Sequence, residues 1–73
     1  MKAEDRFLQQ FGANVRAARK ELGISQTELA KKADVSIKMI SGIERGAENA
    51  SLRLLFKVAK ALGTTFMNLA HGL

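Results

Sequence analysis

Ser25-Gln26-Thr27-Glu28-Leu29-Ala30-Lys31-Lys32-Ala33-Asp34-Val35-Ser36-Ile37-Lys38-Met39-Ile40-Ser41-Gly42-Ile43-Glu44-Arg45-Gly46 is the stretch whose reading decides the fold. It holds two helix starts in close succession. Ser25 and Glu28 have the spacing of a capping box, in which the hydroxyl takes the Glu28 amide and the carboxylate returns to the Ser25 amide. Ile24 before this cap and Leu29 after it are spaced as a hydrophobic staple. Ser36 is a second cap, and Val35 with Ile40 repeats the staple. The spacing predicts one helix over 26–33, a tight break at Asp34-Val35, and a second helix from Ile37 to about Arg45 that Gly46 stops. So short a connection suits two helices crossing at a large angle rather than a long antiparallel hairpin. Ala30 is the small residue such an approach needs. Leu29, Val35, Ile40 and Ile43 lock the pair to a core, while Lys38 and Ser41 fall on an outer face.

Upstream, Phe7, Leu8, Phe11, Val15, Ala18 and Leu22 recur at steps of three and four, one stripe on a long helix over roughly 3–21. Gly23 is its C-terminal stop. Downstream, Ala47–Ala50 is a loop. Ser51 caps a fourth helix with Leu52, Leu55, Phe56, Ala59 and Leu62 on its buried side, and Gly63 ends it. Thr65 caps a last short helix carrying Phe66, Leu69 and Ala70. No stretch alternates as a strand does, and no linker or repeat is present. The expectation is an all-α, compact five-helix domain occupying the whole of 1–73.

Composition narrows the function. The chain has 73 residues, no cysteine and one histidine, His71. Disulfides and cysteine-based zinc sites are excluded, a lone histidine makes no metal centre, and no motif places a nucleophile or a carboxylate pair. Neither catalysis, a metal nor a cofactor is expected. Four Phe with no Trp or Tyr argue against modules that stack bases on exposed aromatics. No apolar run is long enough for a membrane span, and the charged start is not a signal peptide. The net charge of +5 favours an anionic partner.

In the helix-turn-helix, the second helix must begin with short polar groups and free amides that can approach phosphates and base edges. Arg19-Lys20-Glu21-Leu22-Gly23-Ile24-Ser25-Gln26-Thr27-Glu28-Leu29-Ala30, then Val35-Ser36, then Ile40-Ser41-Gly42-Ile43-Glu44-Arg45-Gly46 resemble the Cro and phage-repressor-type (XRE-like) helix-turn-helix family. SLRLLFKVAKALG, ending at Gly63, resembles its fourth helix. The resemblance spans roughly residues 8–70 and implies a lambda-repressor-like domain. Such a domain binds double-stranded DNA as a homodimer on a two-fold-related operator and regulates transcription. It further implies that Gln26 grips a backbone phosphate and that Ser36, Ile37 and Lys38 form the first turn of the recognition helix. Ser41 and Gly42 stand where base edges are read, and Arg45 lies near the far phosphates. Arg19 and Glu44 match a partly buried ion pair. Expected with it are a prokaryotic or phage-infected cytoplasm, association with the nucleoid, no membrane partner and no small-molecule effector domain.

Some residues depart from the family pattern. The recognition helix lacks Gln, Asn or Arg in its first turn. Lys38 can donate to guanine or hold a phosphate, and Ile37 can meet a thymine methyl or pack on the protein. Gly42 offers no side chain and would let the helix seat deeply, leaving part of the specificity to DNA shape. Asp34 replaces a common turn glycine and tolerates a left-handed conformation. Glu48 should repel phosphate, whereas Asn49 can donate to one. Arg16, Lys31, Lys32, Lys57 and Lys60 are phosphate contacts or a solvated face, and His71 is read as exposed. Leu54, Phe66, Met67 and Leu73 form either a homodimer seam or extra core. The Ile40–Gly46 run and the small size also resemble controller proteins of restriction–modification systems. The alternatives are a phage-type repressor, an antitoxin, or a protein-interaction module with little DNA binding of its own.

Overall fold

A computed structural model describes residues 3–71. Its elements are α1 (Ala3–Leu22), α2 (Gln26–Ala33), α3 (Ile37–Glu44), α4 (Leu52–Ala61) and α5 (Phe66–Leu69), with no strand among the described residues. Each of the last four helices starts at a hydroxyl cap. Ser25, Ser36, Ser51 and Thr65 accept from the amides of Glu28, Met39, Leu54 and Asn68. Asp34 closes α2 in the left-handed region (φ 57°, ψ 49°), and its N–H returns to the carbonyls of Ala30 and Lys31. That turn swings the chain from α2 into α3 within three residues.

Phe11, Val15, Leu29, Ile40 and Val58 are almost wholly removed from solvent. Burying each side chain of this kind contributes about 1.5–3 kcal/mol. α1 packs on α3 and α5, α2 on α3 and α4, and α4 on α5. Phe66 bridges α1 and α4, its ring centroid 5.2 Å from that of Phe11 and 5.0 Å from that of Phe56.

Three residues assigned to buried stripes lie outside instead. Leu22, Leu52 and Phe56 are each about half exposed. On α4 the stripe centres on Leu55, Val58, Ala59 and Leu62, which puts Leu52 and Phe56 on its flank and brings in Val58, which the spacing argument left out. Leu22 is the last residue of α1, and the groove beside it, lined by Leu22, Leu62 and Thr64, stays open. Two polar details also shape the packing. Gly12 lies in the middle of α1, where a Cβ would collide with the Ile43 carbonyl oxygen and lie 3.0 Å from that of Glu44. The Asn14 amide nitrogen donates to the carbonyls of Leu69 (2.6 Å) and His71 (3.1 Å), satisfying the end of α5 from α1.

Candidate nucleic-acid interface

α3 buries one side in the core and turns another outward. Ile40, Gly42, Ile43 and Glu44 are covered, whereas Ile37, Lys38 and Arg45 are exposed and Ser41 is half exposed. Those four positions make a single outward arc by the 3.6-residue period. Ile37 is 49% exposed, so it is not part of the core. Arg45 Nε donates to Ser41 Oγ at 3.4 Å, laying the guanidinium back along the arc. Ser36 is exposed, and while its oxygen accepts from Met39 its own O–H remains able to donate. Intrahelical bonding begins at Leu29 in α2 and at Ile40 in α3. The first amides of both helices therefore point out of the helix ends, as an anion site requires.

A buried network holds this arc in place. Arg19 Nε donates to Glu44 Oε2 at 2.6 Å and Nη2 to Oε1 at 3.1 Å, a two-pronged pair whose side chains are 12% and 3% exposed. Arg19 Nη1 donates to the Ile24 carbonyl at 2.9 Å. Gln26 Nε2 donates to Glu44 Oε1 at 3.1 Å. One carboxylate thus ties α1, the loop after it, α2 and α3 together. The hydrogen bonds to Glu44, aided by its charge, raise the Arg19 pKa, against the opposing effect of burial. Removing one member of such a buried pair costs about 3–5 kcal/mol, because the other is left without its counter-charge. At the start of α2, Glu28 Oε1 accepts from the Ser25 amide at 2.9 Å, and hydrogen bonds from Ser25 hold its carboxyl below the usual carboxylate range.

The remaining site residues separate by position. Gln26 is half-buried and turns its amide nitrogen inward to Glu44, so its main-chain N–H and the rest of its amide are what it offers outward. Gly42 is buried under the side chain of Glu48 and does not open onto a groove as expected; the glycine makes room for the crossing loop. Asn49 is exposed in that loop. Leu54 and Phe66 are half-buried and Met67 is 75% exposed, while Leu73 lies outside the described residues. Arg16, Lys31, Lys32, Lys57, Lys60 and His71 are all exposed. Lys32, Lys57 and Lys60 rim a shallow groove floored by Ala33 and Ala61. Arg19 and Glu44 meet as the ion pair the resemblance implies, whereas the inward turn of Gln26 to the same carboxylate was not visible in the spacing. Gly12, Asn14 and Val58 were missed; a glycine within an otherwise strong helix was the one signal available for the first.

Among the described residues no cluster of His, Cys, Asp or Glu could hold a metal ion, and no helix is long and apolar enough to cross a membrane. The sequence profile of the helix-turn-helix family matches residues 15–67. An uncharacterised helix-turn-helix-type transcriptional regulator of Methanothermobacter thermautotrophicus is 43% identical over 49 residues, covering 67% of this chain and 71% of that protein. Control protein C.BamHI of Bacillus amyloliquefaciens is 44% identical over 54 residues, covering 73% of this chain and 67% of its own. The crystal structure of the restriction–modification controller protein C.AhdI from Aeromonas hydrophila superposes with a TM-score of 0.82 at 35% identity, covering 85% of this chain and 94% of the other. With its two capped helices, left-handed turn and buried Arg19–Glu44 tie, the chain belongs to the XRE-like, Cro and phage-repressor-type helix-turn-helix family of transcriptional regulators.

Proposed function

We propose that the protein binds duplex DNA sequence-specifically as a homodimer on a two-fold-related operator, with α3 in the major groove, and so controls transcription. The observation that carries this reading is the outward arc of α3, which bears Ile37, Lys38 and Ser41 and continues to Arg45 at its C-cap, while Ile40, Gly42, Ile43 and Glu44 are buried and Met39 is half-buried. Lys38 donates to guanine edges or phosphate, Ile37 meets thymine methyls, and Ser36, Gln26 and Asn49 donate to the backbone. The net charge of +5 draws the domain to the duplex. Exposed Leu52, Phe56 and Met67 join Leu54 and Phe66 on α4 and α5 as the seam between copies. The domain measures 31 × 21 × 19 Å, so two copies joined at a flank can present recognition helices one DNA turn apart, which is about 34 Å. The likeness to two controller proteins, each matched over two thirds or more of its length, supports a regulator of a restriction–modification system; an immunity repressor of a Bacillus phage is as similar over the matched residues, so a phage-type repressor stands as the second reading.

Selection from random duplexes, followed by affinities across a salt series, tests the proposal. The expected result is a symmetric consensus and a log K that falls linearly with log salt, with slope ~ −0.9 per phosphate contact. Lys38→Ala should relax the preference at one or two base positions, whereas Gln26→Ala should weaken all sites alike. No measurable duplex affinity at low salt overturns the proposal.

A further inference from the structure

Gly42 and Glu48 form one unit at the edge of the α3 arc. A Cβ on Gly42 would lie 3.0 Å from the Cβ of Glu48 and 3.3 Å from its Oε2. The Glu48 side chain therefore occupies the space a residue-42 side chain would take. The backbone fixes it there, because the amides of Ala47 and Glu48 both donate to the Gly42 carbonyl, at 2.9 and 3.2 Å. Position 42 is the i+4 neighbour of Lys38 and the i−3 neighbour of Arg45. Among the described residues, neither of these basic side chains forms an ion pair with Glu48, so its carboxylate is left uncommitted. Glu48 is only half-buried, so the carboxylate is not sealed away from a ligand lying on the arc. Glycine within a helix costs ~1 kcal/mol against alanine, and the seat it makes for Glu48 is what this structure gains in return.

We infer that Glu48, carried by the loop and seated over Gly42, is a base-reading residue that selects cytosine at one position of each half-site. The inference rests on the reading that α3 enters the major groove. An ionised carboxylate only accepts hydrogen bonds. In the major groove guanine presents two acceptors, thymine an acceptor and a methyl, and adenine an acceptor beside its donor. Cytosine alone offers a donor, its N4 amino group, without an adjoining acceptor. The charge that weakens contact with phosphate thus gains a use when it faces a base edge.

The test is selection from random duplexes with the full chain and with its Glu48→Ala, Glu48→Gln and Gly42→Ala variants. The wild type should select a symmetric consensus with cytosine at a defined position. Glu48→Ala should lower that preference about tenfold. Glu48→Gln should move it toward adenine, whose N6 and N7 a glutamine amide pairs with. Gly42→Ala, which must displace Glu48 by a few tenths of an ångström, should weaken the same preference in the wild type and leave the Glu48→Ala background unchanged. If the Glu48 variants instead bind every sequence more tightly by one factor, with the consensus intact, Glu48 is a repulsive charge only and the inference is overturned. If the wild type selects no duplex at all, the fault lies with the DNA reading itself and both fall.

Discussion

At Gly12 the backbone of α1 comes so close to α3 that a single methyl group has no room beside the Ile43 carbonyl. Two effects of Gly12→Ala oppose each other. Alanine improves helix propensity by ~1 kcal/mol, while overpacking against atoms that cannot swing aside costs about 1–3 kcal/mol. The obstructing atoms are main-chain carbonyls, so the second effect should win. The expected outcome is a lower urea midpoint at unchanged m-value, a loss of up to about 2 kcal/mol of stability. A variant as stable as the wild type would show that α1 can draw back from α3. Gly12 also marks a limit of sequence reading. A close approach between distant segments leaves no periodic trace, and a glycine in a helix names the vacancy but not its occupant. Gln26 shows the same limit, since its type suited a phosphate contact while its amide nitrogen turns to Glu44, eighteen positions on.

Helix ends are governed by neighbours in the chain, and they were the most legible part of the fold. The caps at Ser25, Ser36, Ser51 and Thr65 and the left-handed turn at Asp34 stand where local chemistry placed them. The faces of helices were less legible. A 3.6-residue period gives a stripe but not its centre, which depends on how neighbouring helices lean; hence Leu52 and Phe56 lie outside while Val58 is buried. The capping box of α2 carries a pH dependence. Glu28 has a lowered pKa in the folded chain, so its contribution is complete above the unfolded carboxylate pKa and is lost as pH falls through the folded one. Glu28→Gln keeps the capping geometry without the titrating charge. The melting temperature of the wild type should therefore exceed that of the variant near neutrality, and the gap should close as the pH falls below the ordinary carboxylate range. Parallel curves down to acid pH would contradict the assignment.

For the whole molecule, the proposed dimer rests on the apolar patch of α4 and α5. Met67 is 75% exposed, so its replacement disturbs little of the folded monomer, and surface changes of this kind stay within about 0.5 kcal/mol. A loss of assembly can then be read as a loss of interface. Met67→Asp should convert a sedimenting dimer to monomer and lower operator affinity at least about tenfold, because the two half-sites no longer act together. A Met67→Asp protein that still sediments as a dimer places the seam elsewhere. The network around Glu44 has a wider consequence. Arg19, Gln26 and Glu44 orient α3 from its buried side, and none of the arc residues Ile37, Lys38 and Ser41 belongs to that network. On the proposed reading, substitutions on the arc therefore change the operator at little cost in stability, whereas a change at any of the three network residues disturbs the orientation of α3 itself.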